Sequence, residues 1–175
     1  MSDLTNPDWW FFCYSPMLLF SSALVIGWHR WTSKDSLKRL SPMFLFLFLG
    51  GLIRFTDNSE YSFLYFSIAY FSACWLFIAN RDYPAIAIFA LGGVLNSLAA
   101  LFNNGKMPVI DETTVTFLHQ PMTADTKIWW LCDWIVSHLE FFVLSPGDLL
   151  LILGSALFFT RELLIWLKNR RAIKI

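Results

Sequence analysis

The chain has 175 residues, of which 57% are hydrophobic, 18% aromatic and only 15% charged, with a formal net charge of zero. A soluble domain of this length cannot cover so much apolar surface, and the chain lacks the basic excess that nucleic-acid binding requires. Its three cysteines fall in separate segments without paired spacing, so neither a disulfide framework nor a thiolate metal site is expected. The composition predicts an integral membrane protein that has the lipid bilayer as a partner.

The first third of the chain contains two predicted spans joined by a basic loop. Residues 9–31 begin with a tryptophan pair typical of a membrane interface and hold an uncharged run long enough to cross a bilayer. After the basic loop, Ser41 and Pro42 have the form of an N-cap followed by proline at the first helical position. The second span, 42–55, is short, so its helix starts inside the loop or thins the bilayer locally.

Two further spans are predicted at 61–79 and 84–102. One face of the fourth span carries small and polar residues at three- and four-residue intervals, namely Gly92, Asn96, Ala99 or Ala100, and Asn103. Small residues allow another backbone to approach closely, and an amide at membrane depth needs a partner, so helix packing explains this face. Asn103, Asn104 and Gly105 then end the helix, because asparagine and glycine tolerate a left-handed conformation.

The segment that follows is too long for a simple turn and is expected to have structure of its own. In residues 125–142 apolar side chains recur with a helical period, while Asp133, His138 and Glu140 argue against a further span. We therefore predict an amphipathic helix at the membrane interface, with three tryptophans at headgroup level. Ser145 to Asp148, S-P-G-D, opens the fifth span, 147–167, as a capping-box variant that explains Asp148 structurally.

The cations are distributed unevenly along the chain. Nine of them lie in the first loop, the third loop and the tail: Arg30, Lys34, Lys38, Arg39, Arg81, Lys168, Arg170, Arg171 and Lys174. Three lie in the segments on the other side, Arg54, Lys106 and Lys127, and Arg161 lies within the fifth span. By the positive-inside rule the C-terminus is cytoplasmic and, with five spans, the N-terminus is outside. The end of the fourth span and the start of the fifth then meet at the outer face.

These features predict an all-α fold, a polytopic membrane helix bundle in which residues 1–175 form one integral domain. It has about five transmembrane helices plus the interfacial helix. The motifs N-N-G-K-M-P-V, from Asn103, and S-P-G-D, from Ser145, resemble a family of uncharacterised bacterial polytopic membrane proteins that shows N-G-G-x-M-P-V and S-x-G-D. The resemblance covers the C-terminal half and departs from the pattern at Asn104, where the family has glycine. It implies a multi-pass protein of the bacterial inner membrane without an assigned activity.

A second, more distant likeness is to signal peptidase II, a membrane aspartyl protease. Gly92, Gly93 and Asn96 follow a loosely similar pattern, and Asp148 falls on the second catalytic aspartate of that family. Ala99 occupies the place of the first, and a single carboxylate cannot share a proton and activate water as an aspartic dyad does. Other acids in the outer segment that could fold back to supply a second carboxylate are Asp111, Asp125 and Asp133.

Two classes of function remain open. The first is a non-catalytic structural, assembly or accessory subunit of a larger membrane complex, with membrane-protein partners. The second is an outer-face aspartyl hydrolase with Asp148 as its candidate catalytic residue. The sequence favours the first, because an outer-face polar junction of Asn96, Asn103, Asn104 and Asp148 is explained by packing and capping. It indicates no cofactor and no metal, and the dispersed histidines His29, His119 and His138 are more typical of loops and interfaces than of haem or pigment ligands.

Overall fold

The structure is a computed structural model that describes residues 59–110, 116–136 and 143–172, together with the single positions 22, 40, 41, 48, 49 and 53. Apart from those single positions, the predicted spans 9–31 and 42–55 lie outside the described residues. Within the described ranges the chain is mostly helical, with short strands and a turn of 3-10 helix between the last two helices.

Three long helices dominate the described part of the chain: α1 (Ser62–Ala79), α2 (Pro84–Phe102) and α3 (Pro146–Ala172). Each contains a stretch long and apolar enough to cross a membrane. The bounds of α1 and α2 almost coincide with the predicted spans 61–79 and 84–102. The described residues therefore contain three candidate spans, whereas the sequence predicted about five in the whole chain.

Helix α2 lies between α1 and α3 and approaches both of them closely through its backbone. A Cβ atom on Gly93 of α2 would lie 3.2 Å from the Cβ of Ala73 in α1. On the other side, a Cβ on Gly92 would lie 2.5 Å from the carbonyl oxygen of Gly147 and 2.8 Å from the backbone nitrogen of Leu151, both in α3. Small residues thus bring the helices into backbone contact, as in many membrane helix pairs.

A small β-containing unit, which we call the cap, lies between α2 and α3 in the chain and comprises the described residues 107–110, 116–136 and 143–144. Its strand β1 (Met107–Val109) pairs in parallel with β2 (His119–Pro121), and β3 (Ile135–Val136) pairs antiparallel with β4 (Val143–Leu144). A 3-10 turn at Trp129–Leu131 lies between β2 and β3. Leu118, Leu131 and Cys132 of the cap pack with Ala99 and Ala100 of α2 in one buried cluster.

The prediction of an amphipathic helix over 125–142 is wrong for the part that the structure describes, 125–136. Ile128 adopts a left-handed conformation with φ of 43°, which interrupts any helix at that point. The backbone of Asp133 donates to the carbonyl of Pro108 and accepts from the amide of Ile110, each at 3.0 Å. Strand-like pairing to a distant segment has replaced the local helical bonds that the apolar period suggested.

Candidate functional site at the junction of the cap and α3

The first turn of α3 is held by a closed hydrogen-bonded ring. The Ser145 hydroxyl accepts from the backbone N–H of Asp148 at 2.9 Å, and Asp148 Oδ2 accepts from the backbone N–H of Ser145 at 3.0 Å. This is the reciprocal capping box expected from S-P-G-D. Asn96 of α2 joins it, because its Nδ2 donates to Asp148 Oδ1 and its Oδ1 accepts from the Ser145 hydroxyl, each at 2.7 Å.

Glycine makes this ring possible. A Cβ atom on Gly147 would lie 2.6 Å from Cγ of Asn96 and 2.7 Å from the carbonyl oxygen of Gly92. Only a residue without a side chain lets the amide of Asn96 reach across to Ser145 and Asp148. The predicted meeting of Asn96 and Asp148 at one junction is therefore observed, and the geometry gives each a structural role.

The other two residues predicted for this junction behave differently. Asn103 is buried, and its side chain holds the cap to the end of α2: Oδ1 accepts from the N–H of Lys127 and Nδ2 donates to its carbonyl, both at 2.9 Å. The same Nδ2 donates to the carbonyl of Ala99 at 2.7 Å. Asn104 is exposed in a left-handed turn with φ of 60°, so it shapes the turn and does not join the ring.

Asp133 is a buried acidic side chain in the cap. Only 7% of the residue is exposed, because its backbone is fixed beside Pro108 and Ile110. Its Oδ2 lies 3.7 Å from Nε2 of His119, whose Nδ1 is 2.6 Å from the Thr116 hydroxyl. Its Oδ1 is buried and has no hydrogen-bond partner within the described part of the chain. A buried carboxyl oxygen without a partner is costly, so this position is a candidate for a role beyond packing.

The electrostatics of Asp133 link it to the ring. Burial raises the pKa of Asp133 well above its ordinary value, and the nearby negative charge of Asp148 raises it further. Burial, together with the charge of Asp133, also raises the pKa of the neighbouring Cys132 thiol to about 12. The raised pKa favours the neutral, protonated form of Asp133. The carboxyl group of Asp148 accepts N–H groups through both of its oxygens.

The cap and α3 thus contribute two carboxyl groups in different environments, and such a difference is what general acid and base roles require. No hydrogen bond joins the two carboxyl groups in the described structure. Of the other two acids considered from the sequence, Asp125 is exposed and Asp111 lies outside the described residues. The histidines His29 and His138 also lie outside the described residues. In the described ranges no group of three or more His, Cys, Asp or Glu residues is placed to hold a metal ion.

Sequence reasoning named Asp133 among three acids but had no means of choosing it. The decisive contact is the pairing of its backbone with Pro108, twenty-five positions earlier, which no local pattern indicates. The contribution of His119 was also missed. Its Thr116 neighbour is three residues away in sequence, but its approach to Asp133 depends on the pairing of β1 with β2.

Comparison with known proteins places the chain in a family. The sequence matches DUF5317, described as a family of unknown function, over residues 36–160, and the chain belongs to that family. An uncharacterized protein of Thermotoga maritima is 38% identical over 95 residues, which cover 47% of this chain and 55% of the relative. The chain thus spans about half the length of that curated relative. No solved structure matches the chain.

Proposed function

We propose that this member of the DUF5317 family is a membrane-embedded aspartyl hydrolase, in which Asp133 and Asp148 act as an acid and base pair at the outer face. One observation carries the proposal: the cap holds a buried carboxyl group, Asp133, whose Oδ1 has no hydrogen-bond partner in the described part of the chain and whose pKa is raised by burial and by the charge of Asp148. Asp133 supplies the second carboxyl group that the aspartyl chemistry requires and that Ala99 fails to provide.

The proposed reaction is hydrolysis of an amide or ester bond. Asp148 takes a proton from a water molecule as the water oxygen adds to the carbonyl carbon, while Asp133 gives its proton to the carbonyl oxygen. In the second step the C–N or C–O bond breaks. Asp148 protonates the leaving group, and Asp133 recovers a proton from the tetrahedral intermediate, so both groups return to their starting states.

Asn96 and His119 position the two acids in this scheme. Asn96 and the backbone of Ser145 each occupy one lone pair of the Asp148 carboxylate, which leaves a second lone pair on each oxygen for water. His119 lies beside Oδ2 of Asp133, so we assign the contact with substrate to Oδ1, which is buried and has no hydrogen-bond partner in the described part of the chain. We assign no proton transfer to either residue.

The membrane placement is also part of the proposal. The exposed cations Lys168 and Arg170 lie at the end of α3 opposite the cap, and Arg170 stacks on Trp166 with 4.3 Å between the guanidinium carbon and the ring centroid. With the positive-inside rule, this supports a cytoplasmic C-terminus and an outer-face cap in a bacterial inner membrane. The N-terminus would then be outside if five spans are present.

A hydrolysis product must contain oxygen from water, which permits a test without knowledge of the substrate. The full-length protein in nanodiscs is incubated with a membrane extract in water enriched in oxygen-18, and new labelled carboxylic acids are identified by mass spectrometry. The wild type is compared with Asp133→Asn and Asp148→Asn. Asp125→Asn is the matched control, because it removes an exposed carboxylate from the same cap.

We expect labelled products from the wild type and the Asp125 variant, and their loss from the Asp133 and Asp148 variants at equal folded amounts. If the wild type produces no label, or if all four proteins produce the same label, the hydrolase proposal is wrong.

The second candidate function is a non-catalytic structural, assembly or accessory subunit of a membrane complex. It is supported by the ring of Asn96, Ser145 and Asp148, which gives each of these side chains a hydrogen-bonded partner without substrate. In this alternative Asp148→Asn preserves both the cap and any partner that co-purifies after gentle solubilisation. Loss of a partner in that variant, with the fold intact, would contradict the structural role.

A further inference from the structure

The cap carries an edge of exposed tryptophans that no feature of the hydrolase proposal uses. Trp129 and Trp130 are 57% and 54% exposed, and Trp134 is exposed beside them. The rings of Trp129 and Trp134 meet edge to face with centroids 6.1 Å apart, and the indole N–H of Trp134 donates to the carbonyl of Trp130 at 3.0 Å. We call these three residues the tryptophan edge.

The depth of the tryptophan edge is set by the end of α2. The 19 residues of α2 span about 28 Å, close to the thickness of the hydrocarbon layer, so its C-terminal end falls at the membrane boundary. Asn103 is the first residue after that end, and its two hydrogen bonds with the backbone of Lys127 fix the cap there. Trp129 and Trp130 follow Lys127 by two and three residues and are therefore held near the same level.

The chemistry of the edge suits lipid headgroups better than either water or hydrocarbon. Indole rings combine a large apolar area with one N–H donor and are enriched where hydrocarbon meets water. The exposed charges of Lys127 and Asp125 beside the edge oppose entry into the hydrocarbon layer. Lys127 also supplies a positive charge for lipid phosphates.

From this placement we infer that the tryptophan edge binds the lipid headgroup layer on the cap side of the membrane and anchors the cap to it. The exposed indoles rest among the glycerol and headgroup atoms, with Lys127 directed to phosphate. The inference concerns the partner of this surface and does not depend on whether the cap catalyses a reaction.

The test uses fluorine NMR of the full-length protein containing 5-fluorotryptophan, in nanodiscs of phosphatidylcholine and phosphatidylglycerol. Trp129→Phe, Trp130→Phe and Trp134→Phe assign the three resonances among the nine tryptophans of the chain. Paramagnetic labels are placed on the lipid headgroup, near the end of the acyl chain, or on a water-soluble chelate, in separate samples. Trp75 of α1, which is exposed on an apolar span, is the internal control.

We expect the headgroup label to cause the largest loss of signal for the three cap tryptophans, and the acyl-chain label to act more strongly on Trp75 than on them. Greatest loss from the acyl-chain label would show that the edge lies in hydrocarbon and would overturn the inference. Loss only from the soluble chelate would place the edge in water. Protection from all three labels would mean that protein covers the edge, which also overturns it.

Discussion

Replacement of Gly147 by alanine tests the contact that assembles the junction. The new Cβ would lie 2.6 Å from Cγ of Asn96 and 2.7 Å from the backbone oxygen of Gly92, well inside ordinary contact distance. Overpacking of this kind costs about 1–3 kcal/mol. If Asn96 moves away, its charge-assisted hydrogen bond to Asp148 is lost, which costs about 1.5–3 kcal/mol more. The better helix propensity of alanine recovers less than about 1 kcal/mol, so we expect a net loss of about 2–5 kcal/mol.

Gly93→Ala is the matched control, because it makes the same chemical change one residue from Gly92. Among the described residues its Cβ would meet only the Cβ of Ala73, at 3.2 Å, and the helix gains propensity, so stability should change by less than about 1 kcal/mol. Both variants are unfolded in mixed micelles with increasing sodium dodecyl sulfate and followed by circular dichroism. Equal midpoints for the Gly147 and Gly93 variants would refute the packing described for α2 and α3.

Three further predictions concern the cap. Because the pKa of Asp133 is raised on folding, the folded state binds a proton more tightly than the unfolded chain. The free energy of unfolding is therefore highest below the ordinary carboxyl pKa and falls as pH rises through the pKa of Asp133 in the folded state. Asp133→Asn should remove this pH dependence when unfolding is measured at a series of pH values. An unchanged pH dependence would contradict the assignment. Asn103→Ala should lower the free energy of unfolding by about 2 kcal/mol and open the cap to limited proteolysis. Asn104→Gly, at an exposed position, should do neither. Equal cleavage of the two variants would refute the role of Asn103. Cys132, buried and with a pKa of about 12, should resist thiol reagents until the protein unfolds, and rapid labelling of the folded protein would show that the cap is open.

The sequence was informative wherever local chemistry decides the structure. Length and hydropathy located α1 and α2, and the S-P-G-D motif located the start of α3 and the capping role of Asp148. The approach of Asn96 to Asp148 could also be predicted, because small and polar residues on one face of a membrane helix indicate a closely packed neighbouring helix.

The backbone structure of the cap could not be predicted from the sequence in the same way. A helical apolar period over 125–142 describes which residues are buried, and Leu131 and Cys132 are buried as that period requires. It does not decide the backbone, because Asp133 pairs with Pro108 across a long loop and Ile128 breaks the helix. Contacts between distant segments compete with local propensity, and only the folded chain shows which prevails.

Infrared spectroscopy measures the protonation state of Asp133, on which the proposed acid and base pair depends. The protein in nanodiscs at neutral pH is recorded as wild type, Asp133→Asn and Asp125→Asn, in the region where protonated carboxyl groups absorb. We predict a protonated carboxyl band in the wild type and the Asp125 variant that is absent from the Asp133 variant. A wild-type spectrum without that band, or a band that survives Asp133→Asn, would contradict the acid and base pair.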